Sequence, residues 1–433
     1  MSSLANWLPN YKQTYGIFTN PLPEENTIAD FFQFVPQDQR PGQAFNFPVV
    51  VSLEQGQTAD NTGTAFALNS AIDSVLKNAT LDGSTLAMVG NIPYDVTFKG
   101  RNGAGDGRAG NAFKTAFELK TSLLMQSMEF YRELSLLYGC GNTGTIACDI
   151  GVVTTPITGG TITAGATITI TAASWAAGIW NNMINAQVDV IATAGVTVNA
   201  SKAIVTAVNP DLRTITLTGV GAGGSGGGYT PVAGDRLIPT GWQGKTCIGI
   251  EAICTNAGTI FGIPANQFPM WKVPNITFGS AAPTRSKILY AMSKLFSNGL
   301  DTGGKAFFAP GGFADLAEEA DALQRFTGNG DEVRRQGTNN LEYKSPAGKV
   351  DVALHKYMKE GQAMFFSPMN GKRVGSTDIT FRGEGQDWFF LELPSNAGCQ
   401  IRCLSNQAPV LRMPYRCGFF NNILPSSGVS RQP

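Results

Sequence analysis

The sequence predicts an α+β chain that carries an inserted all-β unit, either a barrel or a sandwich. Three observations lead there. Phe113, Ala116, Phe117, Leu124, Met128, Tyr131 and Tyr138 recur at three- and four-residue steps, the period of one helix face. Residues 142–257 alternate Thr with Val, Ile and Ala and carry few charges, the period of short strands. Beyond residue 258, helical and extended patterns succeed each other without a βαβ rhythm, which points away from a parallel α/β sheet.

Residues 1–44 hold Pro9, Pro21, Pro23, Pro36 and Pro41 between small apolar clusters such as Phe31, Phe32 and Phe34. They predict an extended N-terminal arm. Exposed aromatic side chains on a free arm would be a liability, so the arm should lie on another surface. Residues 45–103 alternate apolar runs with polar turns. Phe47–Val51, Leu86–Val89 and Tyr94–Phe98 predict strands, and Phe66–Asn78 is either a short helix or an extended piece. An isolated two-stranded ribbon is marginal in water, so this excursion too needs a neighbour.

Residues 104–141 contain the long helix, expected over 111–138 with Asn111 as N-cap and Gly139 and Gly141 at its end. Residues 142–257 form the inserted unit. It is long enough to bury a core of its own, with at least one of Trp175 and Trp180 inside it. Its run Gly219–Gly228 predicts a flexible loop. Residues 258–370 hold helices over Thr284–Asn298 and Phe313–Phe326 and strands over Val350–Leu354 and Ala363–Phe366. Residues 371–433 add strands over Ile379–Phe381, Trp388–Leu393, Gln400–Leu404 and Val410–Arg416.

Composition narrows the function. The 433 residues hold 32 Lys+Arg against 32 Asp+Glu, so no polybasic surface announces nucleic acid or anionic lipid. Charged residues make up 15%, against roughly 25% in an average soluble domain, so much of the surface is uncharged or covered by partners. The start of the chain lacks the basic and apolar regions of a signal peptide, and no run of 18 apolar residues exists. Synthesis and folding in a cytoplasm-like compartment are expected.

Chemistry was sought and no catalytic, cofactor or metal residues are assigned. His355, the single histidine, excludes a two-histidine metal site within one chain. It should sit on the strand face opposite Val350, Val352 and Leu354, in a structural or surface role, with general base as the lesser alternative. The seven cysteines, at 140, 148, 247, 254, 399, 403 and 417, form no disulfide framework and are expected reduced. Cys399 and Cys403 on one strand lie roughly 13 Å apart, too far to share a zinc ion.

Gly105, Gly107 and Gly110 match a dinucleotide fingerprint but lack the preceding strand. Gly244, Lys245 and Thr246 resemble the end of a phosphate loop, yet Pro239 stands where its first glycine belongs. Glu318 with Glu319 and Asp331 with Glu332 read as solvated faces. Arg334 with Arg335 is too small a cluster for a nucleic-acid site. An arm, a ribbon and a long helix that all need neighbours are instead the mark of an obligate assembly.

This order of elements resembles the major capsid protein of tailed bacteriophages, with the Hong Kong 97-type fold. The stretch with Gly56, Thr58 and Ala67–Asn69, closing at Ile92–Tyr94, resembles the extended E-loop, and 111–138 resembles the spine helix of the peripheral domain. Thr259–Ile263 and Gln267–Trp271 resemble the approach to the axial domain. Lys294–Leu300, Ala306–Pro310 and Ala314–Leu316 resemble its core. The closing strands would then return to the peripheral sheet. The inserted β-domain departs from the minimal fold.

The resemblance implies a non-enzymatic subunit that assembles into hexamers and pentamers of an icosahedral shell around double-stranded DNA. A separate scaffolding protein, a portal and a decoration protein are its expected partners. It further implies the virion as location, after assembly in the host cytoplasm. Some relatives cross-link Lys to Asn between subunits; Lys77 lies in the excursion, but no motif licenses that chemistry. The rival readings are an encapsulin-like cargo compartment, a tail-tube or appendage subunit, and a β-rich carbohydrate-acting enzyme.

Overall fold

The computed structural model describes residues 27–36, 45–61, 63, 65–81, 83–93, 108–141, 148–155, 160–193, 196–255, 259–324, 341–345, 348–381, 391–392 and 398–426. Two sheets and a closed barrel organise them. Gly105, Gly107, Tyr94–Phe98, Phe326, Asp331, Glu332, Arg334, Arg335 and residues 382–390 lie outside the described set.

The long helix runs from Arg108 to Tyr138, 31 residues and about 46 Å at 1.5 Å per residue. Its middle crosses the five-stranded sheet. There Leu124 and Met128 pack on Ile92, Ile401 and Cys403, the i, i+4 face that the sequence pattern marks. Its last two turns are buried on nearly all sides, from Arg132 to Tyr138.

The five-stranded sheet orders Phe34–Pro36, Gly371–Thr380, Gly398–Leu411 and Leu391–Glu392, with Ser84–Pro93 also paired to Gly398–Leu411. The six-stranded sheet orders Asn275–Ala281, Gly418–Ile423, Ala363–Phe366, Gly304–Phe308, Gly348–Leu354 and Leu341–Ser345. The helix Arg285–Ser297 covers that sheet with Ile288, Ala291, Met292 and Leu295, all fully buried. Its N-cap is Thr284, whose hydroxyl accepts from Lys287 N. Glu319, expected on a solvated face, accepts a 2.7 Å bond from Arg285 N at the same helix start.

The barrel closes six antiparallel strands: Arg236–Pro239, Gly151–Thr155, Ala166–Ile170, Thr214–Ser225, Val198–Asn209 and Gln187–Ile191. Ala166–Ile170 alternates buried and half-buried residues, so Ile168 and Ile170 point inward and the threonines outward. Closure removes the free edges that such Thr/Val strands would expose.

Several expectations are corrected. The glycine run is no loop: residues to Ser225 continue a strand whose Ser225 pairs with Ser201. At Gly226 a Cβ would meet Asn199 O at 2.2 Å, so glycine permits the close approach of two backbones. The core of the inserted unit is not separate. Both Trp175 and Trp180 are buried, but the cluster that holds them runs on into Phe32, Phe307 and Tyr357 of the body. An aromatic pair crosses the joint: Tyr131 of the long helix meets Trp242 at 6.3 Å.

The closing strands also divide. Gly371–Thr380, Leu391–Glu392 and Gly398–Leu411 belong to the five-stranded sheet, whereas Gly418–Ile423 crosses to the six-stranded one. Residues 414–416, expected extended, form a 3-10 turn that makes this crossing. Phe66–Leu76 contains no helix.

Candidate functional site

The catalytic searches end in structural roles. Thr246, from the rejected phosphate-loop triplet, is buried and its hydroxyl accepts from Cys140 N at 2.8 Å. Cys399 and Cys403 carry free thiols, and Cys403 packs against the long helix. Among the described residues, no cluster of three His, Cys, Asp or Glu side chains is placed to hold a metal ion.

What the fold offers instead is an outward excursion and two buried polar anchors. The excursion leaves on Phe45–Ser52 and returns on Val75–Leu81, paired from Phe45↔Leu81 to Ser52↔Val75. Beyond the ribbon it is held by a bridge between Gln55 and Ile72. At its far end Asn69 N donates to Thr58 Oγ1 at 2.8 Å, and Asn69 Nδ2 to Gln57 O at 2.8 Å. The ribbon base is sewn down by Thr80 N to Phe261 O and by Phe47 against Trp271. Leu53, Phe66, Leu68, Ile72 and Leu76 are each at least half exposed, up to 78% at Leu68. Five large apolar side chains left in water on one excursion favour a covering surface. An open groove of about 660 Å³ runs beside the ribbon base between Phe47, Val49, Met270 and Met413.

The first anchor holds the arm. A short helix, Thr27–Phe31, presents its first amides to Glu133 of the long helix: Ile28 N donates to Oε1 at 2.8 Å and Ala29 N to Oε2 at 3.0 Å. His355 Nε2 completes the site at 3.0 Å from Oε1, while Tyr357 N donates to His355 Nδ1. An acceptor Nδ1 places the ring proton on Nε2, facing the carboxylate. Glu133 and His355 are both fully buried. The surface alternative for His355 is thus corrected: it follows the strand end at Leu354, and its partner comes from 222 residues away in the chain. Leu354, expected inward with Val350 and Val352, is 42% exposed. Arg373 extends the anchor, donating from Nε to Phe32 O at 2.8 Å and pairing with Asp378.

The second anchor lies at the neck, where the chain enters and leaves the barrel. Lys359, 1% exposed, pairs with Asp149 Oδ1 at 3.0 Å and with Glu251 Oε2 at 2.9 Å. Its ammonium also sits 4.5 Å from the Tyr138 ring centre. Burial pulls the Lys359 ammonium down, but the two carboxylates outweigh it and hold it above the usual lysine range. Burial pushes the Glu251 carboxyl up; Lys359 pulls it back and the neighbouring Asp149 pushes it further.

The backbones cross here as well. Gly249 N donates to Gly139 O at 3.0 Å, and a Cβ on Gly139 would lie 2.3 Å from Cys247 O. Cys140 and Cys148 form a disulfide across the entry, Cα–Cα 5.1 Å. This corrects the expectation of seven reduced thiols: the helix end and the barrel start return to one point, which sequence spacing does not reveal.

Glu360 donates its N–H to Trp175 O of the inserted unit, and its carboxyl faces Gly311 of the helix Pro310–Gln324. Burial pushes its carboxyl up to about 7; the Gly311 N–H pulls it back, Asp315 pushes it further and Arg213 opposes. A carboxyl moved from 4.5 to about 7 corresponds to about 3 kcal/mol at most. The folded value lies above the unfolded one, so this stabilisation is full below pH 4.5 and is lost as pH rises through 7. Glu360→Gln should flatten that decline. Urea midpoints of both proteins at pH 5 and pH 8 check it, and parallel pH slopes would refute it.

No family model matches this chain, and no curated protein does. Among solved structures, a chain of the cyanophage A-1(L) capsid asymmetric unit superposes with a TM-score of 0.53 at 10% identity, over 95% of this chain and 96% of that one. The chain has a phage-capsid fold. Weaker likenesses are a cyanophage P-SCSP1u capsid chain, at TM-score 0.43, 9% identity and 95% and 92% coverage, and a chain from Mycobacterium phage Bobi, at 0.45, 10% and 97% and 98%. Within a capsid fold of 10% identity to its neighbour, the shared quantity is chain path, so the anchors and the neck are described here from this chain's own residues.

Proposed function

We propose that this chain is a major capsid protein that assembles into hexamers and pentamers of an icosahedral shell around double-stranded DNA. The observation that carries the reading is the match of chain path over nearly the full length of both chains to the cyanophage A-1(L) capsid subunit. The stapled excursion with its outward apolar residues supports it, since such a patch needs a neighbouring copy.

In Hong Kong 97-type terms, 1–44 is the N-terminal arm and 45–103 the E-loop. Residues 104–141 are the spine of the peripheral domain, 142–257 the inserted domain, 258–370 the axial domain and 371–433 the returning peripheral strands. The crossing of Gly418–Ile423 to the six-stranded sheet trims that last assignment. The role is structural rather than catalytic. A net charge of zero suits a container that must not grip its contents through phosphate contacts. Scaffolding, portal and decoration proteins are its partners, and assembly in the host cytoplasm precedes its place in the virion.

Electron microscopy of the purified protein, expressed with and without its scaffold, tests the reading. Closed shells or capsomer rings are expected. A stable monomer at micromolar concentration in both preparations would overturn it, and cylinders would indicate a tail component.

A further inference from the structure

We propose that Cys140 and Cys148 are a redox latch that closes the neck of the barrel once, after the chain has folded. Cys140 stands two residues beyond the long helix, with its backbone bridged to Ile248 of the exiting chain. Cys148 precedes Asp149 of the neck ion pairs and lies three residues before the first barrel strand. The bond therefore joins helix end to barrel start at the point where the exiting chain passes. With it closed, the entry is pinned covalently from helix end to barrel start, while the exiting chain is held to it by hydrogen bonds.

Four of the five remaining cysteines do not compete. Cys247, Cys254, Cys403 and Cys417 are buried. Burial pushes their thiols up, to about 11 at Cys403 and about 12 at Cys417. The thiolate is the reacting form, so these four stay reduced.

The oxidant is a low-molecular-weight disulfide such as oxidised glutathione. One protein thiolate attacks its S–S bond and expels one glutathione thiolate. The second protein thiolate then displaces the other glutathione from the mixed disulfide. The two protons lost by the protein are taken up by the two glutathione thiolates. Two protein thiols are oxidised and one glutathione disulfide is reduced. In the closed neck Cys140 is 0% and Cys148 4% exposed, so exchange requires the neck to open. A reducing compartment delivers the open dithiol, and the closed bond afterwards resists native reductant.

The full-length protein should be held in reduced or oxidised glutathione, quenched in acid, alkylated and mapped by mass spectrometry. The expected result after oxidation is one disulfide, Cys140–Cys148, with the other five thiols alkylated. Glutathione should reopen it only when denaturant is present. The oxidised protein should also unfold at a higher urea midpoint than the reduced one, and the Cys140→Ser, Cys148→Ser double variant should lose that difference. Seven alkylated thiols after oxidation, a different pairing, ready reduction in native buffer, or a midpoint difference that persists in the double variant would each overturn the latch.

Discussion

Replacing Lys359 by Met should cost about 3–5 kcal/mol of unfolding free energy at neutral pH, the range for removing one partner of a buried ion pair. The methionine fills a similar volume, so the loss is electrostatic. Asp149 and Glu251 are left facing each other with side-chain exposures of only 18% and 13%. The pH dependence gives the prediction a second readout. Without the ammonium, two neighbouring carboxylates favour the protonated form, so the variant should regain stability as pH falls towards 5. Urea unfolding of unassembled subunit at pH 8 and pH 5 measures both. A loss below about 1 kcal/mol, or one independent of pH, would mean that the neck is held by its aromatic joint and backbone crossing instead.

Glu133→Leu should release the N-terminal arm. The substitution removes the acceptors of Ile28 N, Ala29 N and His355 Nε2 together. Each buried donor left without a partner costs about 1–3 kcal/mol, which for three donors exceeds what so short a helix contributes by its own packing. The arm should therefore detach before the body unfolds. Hydrogen exchange at Ile28 and Ala29 would rise to the rate of an open chain, and a protease should cut first between 27 and 36. Glu133→Gln keeps an acceptor at Oε1 and should restore part of the protection. Unchanged exchange at both amides in the leucine variant would show that Phe32, packed on Phe366 at 5.2 Å, is the true fastening.

Much of the architecture was legible because it depends on local period. The long helix and the helix 285–297 follow from apolar spacing within a dozen residues. The alternating threonines of 167–170 and 214–218 mark strands in the same way, whereas Thr161–Thr163 runs into a 3-10 turn. The strand Gly418–Ile423 escaped notice. Phe419 and Phe420 are both buried in it, and a strand covered on both faces shows no alternation to read. The glycine run misled for a related reason, since its conformation is set by the backbone that it touches across the hairpin.

By itself, the sequence determined the class of the protein: an α+β chain with an all-β insertion, no assigned catalytic residues, zero net charge and a charged fraction of only 15%. Tertiary structure alone decided the pairings. Glu133 meets His355 across 222 residues, Lys359 meets Asp149 and Glu251, Cys140 meets Cys148, and the last strand leaves one sheet for the other. The physical reason is a difference of range. Periodicity reflects which face of an element avoids water, a property of neighbours in sequence. A buried charge needs a partner from wherever the chain path brings one, and that path is settled only when all the faces are packed together.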